Sequence, residues 1–416
     1  MQITKTSLVE IGPSIIFVFA LLFASVAFCA VPSETVLHSF SGGSDGSNPE
    51  GALVADKAGN LYGTTSQGGS ANCSAGCGTV FKLTPPVTRN GSWSETVLYR
   101  FTGGSDGAAP VSDLVVDGVG NLYGTASTGG NGNAGTVFQL SPPALPGGSW
   151  TLTVLYQFVG GSDGKTPVAG LAFDPLGNLY GTTLFGGSTN AGTVFQLKPP
   201  ITKGGAWTET VLHTFGLGND GLDPQAGVVL DNRGAIYGTT ISGTVFKLTP
   251  PQWTEKVLFN FTGGGNSGSW PCALMVRQGA FYGLTKLGGS PTNAGTAFQL
   301  VPSGGGLWSE TTLYSFTGAN DGGEPCGALI SDQMGDLYGT TSGNGQNIPG
   351  TVFELIPPLV PSGAWTETTL HTFGGSNDGF MPLSGVIFAK GSALYGTTSA
   401  GGSSGNGTVF RVVPRN

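Results

Sequence analysis

Four carboxylates break the pattern of the chain around them. Glu50, Asp223 and Glu324 each flank a recurring proline (Pro49, Pro224, Pro325), and Asp113 stands in a place that other parts of the chain give to small residues. Two carboxyl groups held about 5 to 10 Å apart are the machinery of glycoside hydrolysis. The same acids, joined by Asn48, Gln225 and Trp270, form the mixed polar and aromatic rim that stacks on sugar rings and hydrogen-bonds hydroxyls. A second acidic series, Asp45, Asp106, Asp163, Asp220, Asp321 and Asp378, sits in Ser/Asn-Asp-Gly loops. Calcium is the cofactor such oxygen ligands suit. One carboxylate per loop is few for that ion, and Asp-Gly is a turn device in which the side chain caps its own backbone. His38, His213 and His371 share a slot with Tyr99, Tyr156, Phe259 and Tyr314, so they read as packing residues with polar tips.

Composition limits the partners. The 416 residues include 74 glycines, 24 acidic and only 16 basic residues, for a net charge of −8. No cluster of cations exists to bind a nucleic-acid backbone. Low charge with 10% aromatic residues excludes a coiled coil or a disordered acidic chain. Many glycines without a Gly-X-Y period mean many turns, and therefore many short strands.

Self-similarity shows what positions the candidate residues. The segment Leu61-Tyr62-Gly63-Thr64-Thr65 recurs at Leu122, Leu179, Ile236, Phe281, Leu337 and Leu394, always with Tyr in second place. Four strand-like segments accompany each copy; in the first they are 52–55, 61–65, 79–83 and 95–101. The expected architecture is all-β, a seven-bladed β-propeller of four-stranded antiparallel blades. The chain begins with an isolated fourth segment, 35–40, and stops after a third, 408–413. The amino-terminal strand is thus expected to complete the last blade, closing the ring without an exposed edge. In such a blade the loop before the first strand and the loop between the second and third emerge on one face. The residues flanking the recurring prolines should therefore surround the mouth of the central channel.

The repeats Leu-Tyr-Gly-Thr-Thr, Gly-Thr-Val-Phe and Thr-Glu-Thr-Val-Leu resemble the GloVer repeat of secreted bacterial proteins, the choice-of-anchor tandem-repeat proteins. The order Tyr62, Gly68-Gly69, Phe81, Trp93 is also similar to Kelch blades. The family resemblance implies an exported repeat protein without an assigned activity; the carboxy-terminal anchor of some members is not expected before Arg415-Asn416.

The apolar run Ile15 to Val31 reads as a secretory signal, giving residues 1–30 as signal and 31–416 as one propeller domain. Cleavage after Ala27 or after Ala30 fits, and an uncleaved anchor is the alternative. Cleavage after Ala30 removes Cys29 and leaves Cys73, Cys77, Cys272 and Cys326, an even set expected as disulfides in an oxidising compartment, whereas cleavage after Ala27 would keep Cys29 as an extra thiol. A zinc site is disfavoured, because Cys-x3-Cys has no histidine nearby. These features give three readings. The first is an exported monomer that binds a glycan or another cell-surface component without catalysis. The second is an extracellular carbohydrate-active hydrolase or lyase using Glu50, Asp113, Asp223 or Glu324. The third is a structural envelope or adhesion protein.

Overall fold

The computed structural model describes residues 33–414 except 89–90, 146, 203, 264–266, 290, 345–347, 361–362 and 376. The expected signal, its cleavage sites and Asn266 lie outside the described residues. The strands form seven antiparallel sheets of four strands, in the order inner, second, third, outer. Blade 1 runs Val54–Ala55, Leu61–Thr65, Thr79–Thr84, Ser94–Arg100. Blade 7 takes its inner three strands from the carboxy terminus and its outer strand, Ser33–Ser39, from the amino terminus. Ser33 pairs with Val413 and Ser39 with Thr408, so the ring is closed by sheet hydrogen bonds.

Each place in the Leu-Tyr-Gly-Thr-Thr strand has a separate task. Leu61 is fully buried. The Tyr62 hydroxyl donates to Asp56 in the turn before its own strand (3.0 Å), as Tyr123 does to Asp117 and Tyr180 to Asp174. The hydroxyl thus serves its own blade, and the ring meets the neighbouring one. Trp150 of blade 2 packs on Tyr62 at 6.1 Å, and Trp93 of blade 1 on Tyr395 of blade 7 at 6.1 Å. Gly63 lies under Phe81, whose ring would be 2.6 Å from any Cβ there. Thr64 donates across to the Ser112 carbonyl of the next blade at 3.1 Å, and Thr397 to Gly51 at 3.1 Å across the ring closure. Thr65 meets Thr79 of the third strand at 2.9 Å.

The core lies between blades. Phe81, Phe138, Phe195, Phe246, Phe298, Phe353 and Phe410 are fully buried, and each third-strand ring takes an edge-on or tilted contact from a Phe just beyond an outer strand, as Phe40 and Phe81 do at 5.1 Å. Tyr62, Val80 and Phe101 of blade 1 share one cluster with Leu114, Leu122 and Phe138 of blade 2. Burying a large aromatic ring contributes roughly 2 to 3 kcal/mol, so each blade depends on its neighbour for most of its burial.

The inner strand is shorter than the sequence suggests. Val54–Ala55 is two residues, whereas in blade 5 the inner strand is ten, Gly268–Arg277. The residues just ahead of Val54 turn to their neighbours instead of pairing within the blade. A Cβ on Gly51 would lie 2.5 Å from the Ser112 carbonyl. Where seven segments converge on an axis, small residues are needed.

Candidate functional site

The residues that differ from blade to blade gather around the axis. A cavity of about 390 Å³ opens there, and every blade contributes to its wall. Of the sequence candidates, Glu50, Asp113, Gln225 and Trp270 line it, together with both cysteines of the Cys272–Cys326 pair. Asn48, Asp223 and Glu324 stand outside that wall.

The division has a backbone cause. The residue before each recurring proline adopts a left-handed conformation: Asn48 (φ 53°), Ala109 (51°), Thr166 (59°), Asp223 (57°), Trp270 (59°), Glu324 (55°) and Met381 (56°). Such backbone is uncommon for non-glycine residues and the position before proline favours extended chain. In five of the seven, Asn48, Ala109, Thr166, Asp223 and Glu324, it is over-determined by hydrogen bonds on both sides. Asn48 N–H donates to the Asn406 carbonyl of blade 7 (2.9 Å), and its own carbonyl accepts from Ser66 N–H of blade 1 (3.0 Å). Asp223 and Glu324 do the same with Ala191 and Ile241, and with Ala294 and Ser342. These residues clip their blades to the loop of the one before. Only Trp270, with its long flat side chain, reaches from this place into the cavity wall.

The residue after the proline faces the axis. Glu50 accepts a hydrogen bond from the Ser66 hydroxyl at 2.6 Å, which fixes one oxygen and leaves the rest of the carboxylate on the cavity. Asp113 accepts the Ala52 N–H at 2.5 Å from across the blade 1–blade 2 boundary. Burial pushes its carboxyl pKa up, and that hydrogen bond offsets the shift only in part. Gln225 is exposed at the same level.

Lys286 completes the wall, and sequence reasoning misses it. Its ammonium lies 5.0 Å from the centre of the Trp270 ring and 3.3 Å from Glu324 Oε2. The signal was available: the slot after the second threonine holds Ser66, Ser127, Ser342 and Ser399 in other copies. The Cys272–Cys326 disulfide joins blades 5 and 6 beside this Trp–Lys–Glu cluster, and Cys73–Cys77 closes the inserted loop of blade 1.

The Asp-Gly loops have no free carboxylate to gather round an ion. Asp106 accepts from Thr102 N–H (2.8 Å) and Tyr99 hydroxyl (3.0 Å); Asp321 from Thr317 N–H (2.8 Å) and Tyr314 hydroxyl (3.1 Å). Asp45 caps Ser41 N–H at 2.8 Å, and Asp163 caps Val159 N–H at 2.6 Å. Asp220 and Asp378 each meet a histidine, His213 and His371, at 3.2 Å. Among the described residues, no group of three or more potential metal ligands converges.

In fold the chain is similar to a protein described as a putative oxidoreductase (glucose dehydrogenase) from Thermus thermophilus, at a TM-score of 0.43 and 16% identity over 73% of this chain and 96% of that one. None of the curated proteins matches it. The profile of the Gloeobacter/Verrucomicrobia repeat matches residues 25–243 and, again, 177–410. With nearly its whole length covered by these two overlapping matches, the chain belongs to the Gloeobacter/Verrucomicrobia repeat family.

Proposed function

We propose that this is an exported binding propeller that takes sugar units of a glycan or another cell-surface component at the mouth of its central cavity, without catalysing a reaction. One observation carries the reading. Slots that repeat from blade to blade are spent on the ring, and several that vary converge on a single cavity of about 390 Å³. That volume lies in the ordinary range for small-ligand sites. Its wall offers a flat indole (Trp270), a carboxylate with one oxygen fixed (Glu50) and an exposed side-chain amide (Gln225). Such a set suits a polyhydroxylated ligand, with the ring face on Trp270 and hydroxyls on the polar groups. Two disulfides and the amino-terminal apolar run support export to an oxidising compartment.

A glycan array probed with the propeller tests this. Binding of a defined glycan class, reduced at least tenfold by Trp270→Ala or Glu50→Gln, is expected. An empty array together with an empty pull-down from bacterial surfaces refutes it. The placement of Glu50 and Asp113 on the same cavity favours the hydrolytic alternative over the other carboxylate pairs, since a carboxyl with a raised pKa is what a general acid needs. Release of reducing ends from a bound glycan, abolished by Asp113→Asn, would select that reading.

A further inference from the structure

The opposite face of the ring carries a different pattern. In each blade the turn between the first and second strands and the turn between the third and outer strands emerge on the side away from the proline loops. Six large aliphatic side chains among the described residues are more than 75% exposed: Val87, Ile201 and Leu359 (104% each), Val119 (78%), Leu176 (81%) and Met334 (84%). All six are on this face. The three most exposed follow a Pro-Pro pair (85–86, 199–200, 357–358), which stiffens the stem of the loop. The other three occupy the third place of the turn that opens with Asp117, Asp174 or Asp332. On the proline-loop face the most exposed comparable side chains, Val159 and Leu217, reach only 63% and 62%.

Charge on these tips is also selective. In blades 1, 4 and 7, where the first turn lacks an aliphatic tip, it presents an exposed cation, Lys57, Arg233 or Lys390, while the blade 5 turn is tipped by Gln278-Gly279. The opening aspartates are occupied inside their turns, as Asp56 is by Asn60, Ala58 and Tyr62. No acidic residue stands at a tip position on this face, in a chain whose acids outnumber its bases 24 to 16. Single exposed aliphatics are ordinary; six at the tips of two loop types on one side of the ring, with three exposed cations among the same turns, are not scattered. We propose that this face docks onto a lipid surface bearing anionic headgroups, with Val87, Ile201, Leu359 and the shorter tips entering the headgroup–acyl boundary. Apolar tips beside Pro-Pro stems enter that boundary, and interspersed Lys and Arg draw anionic lipid. Attachment would be peripheral, since no helix among the described residues is long and apolar enough to span a membrane.

Vesicle co-sedimentation tests the proposal with residues 33–416, which contain every strand of the closed ring and exclude the apolar amino-terminal run. The parent is expected to sediment with phosphatidylglycerol–phosphatidylcholine vesicles and less with phosphatidylcholine alone. The triple variant Val87→Ser/Ile201→Ser/Leu359→Ser should lose at least about tenfold in partitioning, while Val159→Ser/Leu217→Ser on the other face keeps it. All these positions are exposed, so unchanged melting curves will show that the variants fold. Absence of parent binding, or equal binding by the triple variant, overturns the proposal. So does vesicle-independent self-association of the parent that the triple variant lacks, which would assign the face to a second copy of the chain.

Discussion

The phenol of Tyr156 donates a 2.8 Å hydrogen bond to Oδ1 of Asp163, seven residues further along the chain, while Asp163 Oδ2 accepts the Val159 N–H at 2.6 Å. The outer strand of one blade is thereby tied to the loop that opens the next. The same interval joins Tyr99 to Asp106, His213 to Asp220, Tyr314 to Asp321 and His371 to Asp378. In the fifth copy the aromatic is Phe259, which has no hydroxyl, and the residue seven further on is Asn266. The two slots change together.

Asp163→Ala should therefore cost about 1 to 3 kcal/mol, because it strips a charged acceptor from two donors. Tyr156→Phe should cost about 1 kcal/mol, and the double variant less than the sum of the two. Urea titration of the four proteins measures the coupling. Since these carboxylates already serve their loops, the melting temperature should be the same in EDTA and in millimolar calcium. A calcium-dependent rise would restore the cation reading of Asp45, Asp106, Asp163, Asp220, Asp321 and Asp378.

A ring of half-buried glutamates sets the pH response. Glu34, Glu95, Glu209 and Glu367, each second in its outer strand or in the equivalent register, have their carboxyl pKa pushed up to about 7, chiefly by burial and then by a loop aspartate such as Asp163 beside Glu209. Glu255 is raised to about 6 by burial and Asp220. In Glu34, Glu95, Glu209 and Glu255, Oε1 is buried without a hydrogen-bond partner. A group whose folded pKa exceeds its unfolded value stabilises the fold below the unfolded pKa, near 4.5, and that stability is lost as pH rises through about 7. Burial lowers the pKa of His213 against the pull of Asp220, so the histidine acts in the opposite sense: its contribution is full above about 6.5 and is lost on acidification. Glu209→Gln mimics the protonated state and should raise stability at pH 8 while changing little at pH 4. Blade 2 already carries Leu152 in this slot, packed into the neighbouring core, so the site accepts an uncharged side chain. Denaturant melts across pH 4 to 9 for parent and variant would show the gap opening with pH; a constant gap would refute the assignment.

The fold was legible because the chain writes it seven times, and each copy checks the others. The turn role of the aspartates was legible in Asp-Gly alone, but their partners were not, since the Tyr/His slot lies in the outer strand and the Asp slot in a loop; only the joint change at Phe259 and Asn266 links them. Lys286, missed in the sequence, carries a signal there all the same: it is the one charged residue in a slot held otherwise by Ser, Leu or Ile. The left-handed residue before each proline was not legible, because local preference in that position points the other way, and the blade-to-blade hydrogen bonds that impose it are tertiary. For the same reason Asp223 and Glu324 looked equivalent to Glu50 in sequence, although the conformation of their backbone turns them out of the cavity wall.

The two disulfides should differ in worth. Cys272–Cys326 closes a span of 54 residues between adjacent blades, and Cys73–Cys77 one of 4 within a loop. Loop-closure entropy grows with span, giving about 4 kcal/mol for the first and about 2 kcal/mol for the second. Cys272→Ala/Cys326→Ala is thus expected to lower the melting temperature more than Cys73→Ala/Cys77→Ala. Calorimetry of both pairs of variants, each with its remaining disulfide intact, checks the order; a larger loss from the short loop would overturn it.

Ring closure places a tight steric demand on Gly407. Its φ is +96°, and a Cβ there would lie 2.5 Å from Pro49 Cδ and also run into the Thr398 carbonyl. Gly78 stands in the same relation to Pro110, so the contact recurs at the boundary of blades 1 and 2. At the closure, however, the glycine and the proline come from opposite ends of the chain, and no covalent neighbour holds them together. Gly407→Val should cost about 3 kcal/mol or more, from overpacking together with left-handed strain. It should also part the outer strand Ser33–Ser39 from Thr408–Val413, leaving an unpaired edge. Limited proteolysis should then cut near residue 40 in the variant and spare the parent. Gly118→Ala, where a Cβ meets nothing within 4 Å and φ is not left-handed, is the matched control. If Gly407→Val resisted protease as well as that control does, the closure would not depend on the glycine–proline contact.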